Sequence, residues 1–364
     1  MLFDLAVMGG GPAGCAAAIT AARSGASVLL LERRTFPRHK VCGEFVSAES
    51  LGLLQTLLTD VGSLINRAPR ISGTRIFLDG AVVRSKIHPP AASITRFDLD
   101  SALWDASVAA GVTARTQVNV RSVEGHGPFR IISSDQYLEA KAIINATGRW
   151  SNITSARTRA RLNGDKWVGI KAHFHEVSAP NSVDLYFFEG GYCGVQPVSA
   201  ATNGAGNVIN ACAMVRADIA STMSEVIIQD PILAQRSRNW NAATDPVTTA
   251  PLIFHEPEPL QNSMLQVGDA AMFVDPFIGD GISLALRSGT LAADCLVAFL
   301  RGQYSLEQAC AHYSREYARR FRHIFNTSSW LRGLLRWPLV VRKPVLSVLA
   351  KTPLLTSYMV RMTR

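Results

Sequence analysis

The chain has 364 residues, a formal net charge of +9 and 48% hydrophobic residues, which is enough to bury a large core. That length fits two interleaved domains better than one. The six cysteines show no Cys-x-x-Cys pair and no metal-ligand spacing, so we expect reduced thiols and no metal site. We see no leader peptide pattern and no run of the roughly 18–20 apolar residues that a membrane span needs. A cytoplasmic protein is therefore expected.

The basic charge is concentrated in one part of the chain. Residues 301–364 hold twelve Lys or Arg and two acidic residues, whereas the other 300 residues hold 25 Lys or Arg and 26 acidic residues. This distribution argues against nucleic acid binding by the body of the protein. Within 304–364 the basic residues stand beside Trp and Leu. That mixture favours either peripheral contact with the inner membrane face or a tail that packs on the body with a basic rim.

Residues 4–34 carry the first clear pattern. An apolar run at Leu5–Met8 ends in Gly9-Gly10-Gly11-Pro12-Ala13-Gly14, and a small-residue helix follows at 15–24. A second apolar run, Val28–Leu31, then leads to Glu32. The order of strand, glycine turn, helix, strand and acid predicts a βαβ unit that binds a dinucleotide.

Each residue type in this unit has a physical role. Gly9 permits the tight turn, Gly11 lets the backbone approach a pyrophosphate, and Gly14 lets the helix lie close to the strand. The N–H groups and the positive dipole end of the helix attract the phosphates. Glu32 is placed to accept hydrogen bonds from both ribose hydroxyls and would repel a 2′-phosphate, which argues against NADP in this pocket.

Further elements follow in chain order. A basic loop at 35–44 leads into a helix at 48–58 and is expected to cross the dinucleotide. Residues 70–95 alternate as a hairpin around Asp79-Gly80, and Asp98 is the predicted N-cap of a helix at 99–110. Strands are then predicted at 112–120, 122–125, 129–133, 137–140, 142–148, 168–177, 182–189, 192–197 and 207–215. Residues 203–206 are predicted to form a hairpin turn, and residues 218–238 are predicted to be helical.

A second sharp signal lies at residues 264–300. A strand ends at Gly268-Asp269, and a loop rich in Pro and Gly then leads into a helix at 284–300. Asp269 is placed to bind a second sugar-like polyol, in addition to the ribose expected at Glu32. The backbone at 279–282, with the helix dipole behind it, is suited to stabilise negative charge on a ring.

Four segments together carry a family resemblance: GGGPAG with Glu32, PRHKVCGE at 37–44, INATGRWS at 144–151, and the stretch from Gly268 to Asp294. With them the chain resembles the FAD-dependent oxidoreductases of the p-hydroxybenzoate hydroxylase-like superfamily. It is most similar to the branch of geranylgeranyl reductases and flavin-dependent halogenases.

The resemblance implies an α/β fold with α+β elements. A Rossmann-like FAD-binding domain would be built from discontinuous segments, and an antiparallel β-sheet substrate domain would be inserted between them. A helical tail would follow. The implied bounds are 1–70, 96–160 and 261–303 for the FAD-binding domain, 71–95 and 161–260 for the substrate domain, and 304–364 for the basic C-terminal region.

The implied cofactor is FAD. No second glycine motif exists for a nicotinamide, so NAD(P)H would dock transiently as the reductant. The ADP part would be held by Gly9, Gly11, Gly14 and Glu32. Arg38 and Arg96 would lie along the FAD, and Asp269 would hold the ribityl–pyrophosphate region. The predicted FAD-binding residues are Gly9, Gly11, Pro12, Ala13, Gly14, Glu32, Arg33, Arg38, Cys42, Arg96, Ala146, Thr147, Gly148, Gly268, Asp269, Pro276, Gly279, Gly281 and Ile282.

Departures from the family's patterns bear on the reaction. The Trp-x-Trp-x-Ile-Pro segment of such halogenases is absent, and the flavin loop has Gly279-Asp280-Gly281 in place of their Ser or Thr. The Tyr-x-Trp-x-Phe-Pro segment of geranylgeranyl reductases matches only partly, at residues 192–197. The mid-chain Asp-Gly of aromatic hydroxylases is Thr147-Gly148-Arg149 here.

Reduction of a carbon–carbon double bond in a hydrophobic small molecule is favoured, with hydroxylation or epoxidation as the alternative. Halogenation and a non-catalytic flavoprotein are less favoured.

Catalytic candidates are few because the cofactor carries the chemistry. Cys42 lies in the loop expected to approach the flavin ring, as a proton donor, a substrate contact or a spectator thiol. His173 and His175 share one face of a predicted strand, where they would donate protons or orient a phenol, or be ordinary sheet histidines.

Overall fold

The computed structural model describes residues 1–134, 136–149, 166–199, 207–252 and 254–335. Its strands fall into two sheets. They are β1 (Leu2–Met8), β2 (Val28–Leu31), β3 (Phe45–Val46), β4 (Arg70–Leu78), β5 (Ala81–Ser93), β6 (Thr113–Arg115), β7 (Val120–Glu124), β8 (Phe129–Ser133), β9 (Tyr137–Asn145), β10 (Trp167–His175), β11 (Ser182–Phe188), β12 (Gly191–Val198), β13 (Val208–Arg216), β14 (Asn241–Ala242), β15 (Val247–Leu252), β16 (Leu260–Gln261) and β17 (Met264–Gln266).

The helices pack on and between the sheets. They are α1 (Pro12–Arg23), α2 (Ala48–Leu57), α3 (Gly62–Asn66), α4 (Arg96–Ala109), α5 (Met223–Ile227), α6 (Pro231–Arg236), α7 (Gly281–Leu300) and α8 (Leu306–Leu335). Short 3₁₀ turns lie at Ser237–Asn239, Gly268–Ala270 and Pro276–Ile278.

The first sheet has the order β16-β17-β9-β1-β2-β6, with β8 and β7 joined through β9. Strand β1 is parallel to β2 and β9, and β17 is parallel to β9. The apolar strands are buried because α1, α4 and α7 cover one face, while the antiparallel strands and the start of α8 cover part of the other. The second sheet has the order β14-β10-β13-β12-β11-β4-β5-β3, with β15 beside β10.

The predicted α/β fold class is confirmed, and so are several elements in detail. Strand β2 has the predicted bounds, and β4 and β5 form the predicted hairpin around Asp79 and Gly80. The second sheet is antiparallel apart from β4 and β11, which are parallel. The predicted domain bounds stay a prediction, although the structure places β3 in the second sheet beside β5.

Some local predictions were wrong. The N-cap of α4 is Thr95, whose hydroxyl accepts the N–H of Asp98, and not Asp98 itself. Residues 112–120 are not one strand, because β6 ends at Arg115. The segment at 218–238 forms two short helices, since Asp230 and Pro231 start a new helix. The predicted turn at 203–206 and the tail beyond residue 335 lie outside the described residues.

Helix α7 also corrects the expectation about apolar runs. It is the one helix in the described ranges that is long and apolar enough to cross a membrane by length and composition. However, 61% of its most apolar window is buried in the protein, and it packs against α1 in the core. Core helices pass the same test, so this feature is weak evidence for a membrane span.

Candidate functional site

The glycine turn between β1 and α1 has the geometry that its sequence predicts. Gly9 has a φ of 108°, and a Cβ there would overlap the Ala146 carbonyl. A Cβ on Gly14 would overlap the carbonyl oxygen of Gly9. Gly11 is the N-cap of α1 and has no side chain to cap it. The N-terminal N–H groups of α1 therefore face the cleft beside the turn, as phosphate binding needs.

Glu32 is already well hydrogen-bonded at the end of β2. Its carboxylate accepts the N–H groups of Gly10 and Arg34, each at 2.8 Å. The guanidinium of Arg38 spans both carboxylate oxygens at 3.2 Å. Arg33 is exposed. The ribose role of Glu32 stays a prediction, and in that role the carboxylate would be shared with Arg38.

Arg96 supplies a fixed positive charge beside the glycine turn. Its side chain is buried and donates to both oxygens of Asp100, at 2.7 and 2.8 Å. Burial alone would lower the pKa of Arg96, but Asp100 and the Cys42 side chain raise it. One of its guanidinium nitrogens lies 3.8 Å from where a Cβ of Gly11 would stand. The charge is thus held where a pyrophosphate would pass.

A cleft between the two sheets joins the sequence-predicted residues. It contains about 1110 Å³ of empty space, part of it open to solvent. Of the predicted FAD-binding residues, those lining it are Gly11, Pro12, Ala13, Cys42, Arg96, Ala146, Gly148, Gly268, Asp269, Pro276, Gly279, Gly281 and Ile282. The hydroxyl of Thr147 instead donates to Asn145 at 2.6 Å. The helix N-terminus and the backbone cradle of the glycine turn fit FAD.

The far wall of the cleft is apolar. Tyr192, Met214, Leu252 and Phe273 line it from the second sheet and from the segment before the flavin loop. Phe277 packs edge-on against Tyr192, with ring centroids 5.7 Å apart. Burial raises the pKa of the Tyr192 hydroxyl well above its ordinary value, so this group stays protonated. A hydrophobic molecule would find matching surface here.

Arg149 and Asp269 form a polar corner of the cleft that the sequence only partly indicated. Their closest N–O distance is 3.9 Å, and the Arg149 guanidinium stacks over Phe273 at 4.2 Å from the ring centroid. Burial lowers the pKa of Arg149, while Asp269 opposes that shift. Arg149 follows Gly148 at the end of β9, and its position after a small-residue strand end was the available signal.

The Cys42 loop is fixed by a buried ionic cluster that the sequence analysis missed. Glu44 is 0% exposed, and its carboxylate binds the Lys171 ammonium and the His173 ring, the latter at 2.8 Å. The same carboxylate accepts the N–H of Arg96 at 2.8 Å. Burial alone would raise the pKa of Glu44, but His173 and Lys171 lower it. The cluster ties the loop to both sheets.

The loop backbone is held as firmly as the side chain. Glu44 has a φ of 62°, which is uncommon for a residue other than glycine, and its carbonyl accepts the N–H of Ile94 at 3.0 Å. Asn210 donates to the Cys42 carbonyl at 2.9 Å, and the Cys42 sulfur accepts the N–H of Glu44 at 3.3 Å. Cys42 therefore lines the cleft in one defined position.

The two candidate histidines have different surroundings. His173 is 3% exposed and belongs to the Glu44 cluster. His175 is exposed at the end of β10, opposite Asn241 of β14, and does not line the cleft. His173 does not line the cleft either and is connected to it through Glu44, so a catalytic role of either histidine stays a prediction. A lysine between apolar residues of a buried strand, as in Ile170-Lys171-Ala172, was the sequence signal for the cluster.

Helix α8 secures the loop that precedes α7. The hydroxyl of Ser328 accepts the N–H of Asp275 at 3.0 Å and donates to its carboxylate at 2.9 Å. Arg332 lies 3.3 Å from the same carboxylate and stacks over Phe254 at 4.0 Å. Of the residues that follow, Pro276, Gly279, Gly281 and Ile282 line the cleft at the N-terminus of α7. The C-terminal helix thus positions the predicted flavin loop.

Replacing Ser328 with alanine is expected to lower the free energy of unfolding by about 1–3 kcal/mol, because a buried N–H and carboxylate lose a partner. Flavin fluorescence anisotropy should also fall as the loop loosens. Ser314→Ala, at a partly exposed position of the same helix, is the matched control. Equal unfolding midpoints for the two variants in urea would contradict the assigned role of Ser328.

Comparisons with known proteins agree with this geometry. A family model described as FAD dependent oxidoreductase matches residues 4–40. The menaquinone reductase of Mycobacterium tuberculosis is 26% identical over 326 residues, covering 80% of this chain and 76% of the relative.

Two solved structures have the same fold. The flavin-dependent brominase Bmp2 superposes with a TM-score of 0.79 at 18% identity, covering 100% of this chain and 93% of that one. A geranylgeranyl bacteriochlorophyll reductase-like protein of Thermoplasma acidophilum superposes with a TM-score of 0.76 at 20% identity, covering 100% and 95%.

These findings confirm the resemblance predicted from the sequence. The sequence resembles FAD-dependent oxidoreductases, consistent with an enzyme, and the fold is that of the FAD-binding Rossmann-type oxidoreductases. Its similarity extends to reductases and to halogenases alike, at low identity. The type of reaction must therefore be inferred from the residues that line the cleft.

Proposed function

We propose that this protein is an FAD-dependent reductase that adds hydrogen across a carbon–carbon double bond of a hydrophobic small molecule. The substrate is of isoprenoid, polyketide or aromatic type, and NAD(P)H is the reductant. The observation that carries the proposal is the apolar wall of Tyr192, Met214, Leu252 and Phe273, which faces the predicted flavin loop across one cleft. Bound FAD would supply hydride chemistry, and the protein orients the substrate beside it.

The proposed reduction needs one hydride and one proton. Bound FAD, once reduced by NAD(P)H, would supply the hydride. Cys42 is the thiol of the cleft nearest the Arg96 cation and is our candidate proton donor, which solvent would reprotonate. The Glu44 cluster fixes the loop so that the Cys42 thiol keeps one position during turnover. Glu44, Lys171 and His173 are therefore proposed as positioning residues.

Replacing Cys42 with serine is expected to lower product formation by about 100-fold, the scale of one general acid. Serine can still accept the N–H of Glu44, but its hydroxyl is a far weaker acid. Flavin reduction by NAD(P)H should change little, because it does not use this proton. Cys310→Ser, in α8 and away from the cleft, is the control. Equal product formation by both variants would remove Cys42 from the mechanism.

The alternative is a flavin monooxygenase that hydroxylates or epoxidises a similar substrate. The same fold and the same apolar wall would serve it. The sequence supports reduction more than oxygenation through the loops at 37–44 and 275–282, and a menaquinone reductase is among the relatives. Halogenation is disfavoured because the Trp-x-Trp-x-Ile-Pro segment is absent from the sequence.

Anaerobic photoreduction followed by stopped-flow mixing separates the two reactions. We expect reduced protein to be reoxidised without oxygen by menaquinone or by a digeranylgeranylglycerophospholipid, the two probes suggested by relatives. After air has reoxidised any quinol to the quinone, the product should still carry two additional hydrogen atoms by mass spectrometry. A transient spectral species that forms only with air and is prolonged by a probe would instead establish the monooxygenase. If FAD neither co-purifies nor rebinds, both proposals fail.

A further inference from the structure

The outer face of α8 carries three arginines and one tryptophan, which we call the basic stripe. We define it as Arg315, Arg319, Arg322 and Trp330, which lie at i, i+4, i+7 and i+15 and therefore share one helix face. All four are exposed, and Trp330 is 55% exposed. The opposite face is buried, with Tyr313, Tyr317, Phe321 and Ile324 in the core. The stripe spans about 22 Å at 1.5 Å per residue.

The charge of this surface is strongly one-sided. Helix α8 contains five arginines and two acidic residues. One of those acids, Glu316, pairs with Arg319 and Arg320 at the edge of the stripe. The sequence that follows, residues 336–364, adds six Lys or Arg and no acid, interspersed with Leu, Val and Trp. A partner for this region should therefore be anionic.

A lipid surface fits these features better than a nucleic acid. Tryptophan combines an apolar ring with a polar N–H, which suits the boundary between headgroups and acyl chains. Arginine stems cover apolar surface while their guanidinium groups reach phosphates. A site for single-stranded nucleic acid would instead present several aromatic rings for stacking, whereas this stripe has one.

We propose that the basic stripe of α8 docks on an anionic lipid bilayer. The inner face of the same helix holds Asp275 through Ser328 and Arg332, immediately before the flavin loop. Docking would thus bring one wall of the cleft to the membrane surface. Delivery of a membrane-dissolved substrate into the cleft follows from this placement and rests on the proposed function; the docking itself does not.

Vesicle flotation with the FAD-loaded full chain tests the proposal. Phosphatidylcholine vesicles are compared with vesicles containing 30% phosphatidylglycerol. We expect binding only to the anionic vesicles and a decline with added salt. Reversing all three charges, as Arg315→Glu, Arg319→Glu and Arg322→Glu, should weaken binding by about 100-fold, at roughly fivefold per basic residue lost. Trp330→Ala should weaken binding at any salt concentration.

The matched control reverses three exposed arginines elsewhere, Arg67, Arg84 and Arg121, and so changes the net charge equally. Equal loss in this control, equal binding to neutral vesicles, or no vesicle binding at all would each overturn the proposal. So would displacement from vesicles by an equal mass of RNA. Activity on a detergent-solubilised probe is measured in parallel, so failure to dock is distinct from failure to reduce.

Discussion

Replacing Lys171 with methionine is expected to lower the free energy of unfolding by about 3–5 kcal/mol, the cost of breaking a buried ion pair by removing one partner. Lys171 is 1% exposed and Glu44 is 0% exposed, so water does not replace the lost ammonium. Only His173 and the N–H of Arg96 would remain to stabilise the carboxylate. Urea denaturation measures the change, with Lys86→Met on the exposed side of β5 as the control.

A second variant makes the Lys171 prediction sharper. Glu44→Gln combined with Lys171→Met removes both charges, and we expect it to recover more than half of the lost stability, since no buried carboxylate is left unpaired. If the double variant were as unstable as the sum of the two single variants, the pair would not be energetically coupled. The flavin spectrum of each variant then shows whether the Cys42 loop has moved.

The cluster also gives stability a defined pH dependence. The pKa of Glu44 is lowered from its ordinary value of 4.5, so the unfolded chain binds this proton more readily than the folded protein does. The contribution of Glu44 is therefore fully present above about pH 4.5 and is lost as the pH falls through the lowered value. The Glu44→Gln variant should lose this part of the acid sensitivity in unfolding experiments.

Replacing Gly14 with alanine is expected to weaken FAD binding by at least about 100-fold, equivalent to roughly 2.7 kcal/mol. The new Cβ would overlap the carbonyl of Gly9, so α1 must move away from β1 and its N–H groups leave the phosphate position. Flavin fluorescence during titration with FAD measures the change.

Gly52→Ala is the control for the Gly14 variant. Gly52 is exposed within α2, and a Cβ there meets nothing within 4 Å. Alanine should stabilise that helix by up to about 1 kcal/mol without altering FAD affinity. Wild-type FAD affinity in the Gly14 variant would show that the turn tolerates a side chain and that the pyrophosphate lies elsewhere.

The N-terminal unit was predictable because its information is local. Gly9, Gly14 and the small residues of α1 lie close together in the sequence and contact one another directly. Strand β2 has the predicted bounds. The hairpin at β4 and β5 was predictable for the same reason, since Asp79-Gly80 determines its turn. The cap of α4 was predicted wrongly because Thr95 and Asp98 are both capping types and each contacts the other.

The site was only half predictable because its other half is non-local. Glu44 and Lys171 are 127 positions apart, and no local pattern indicates that they meet. The alternation of residues along β10 predicts that His173 and His175 lie on the same face of the sheet. It does not predict that His173 is buried whereas His175 is exposed at the end of the strand. Likewise, the link from Ser328 to Asp275 depends on how α8 crosses the flavin loop, which packing determines.

The nucleotide-binding sheet is completed late in the chain. Strand β9 pairs with β1, β17 pairs with β9, and Gly289 of α7 lies so close to Ala13 of α1 that any side chain would overlap its carbonyl. An emerging chain therefore holds its phosphate turn long before the strand and helix that support it exist. We therefore expect stable FAD binding to require the complete sheet and α7, so that the bound flavin in an extract would count fully folded molecules.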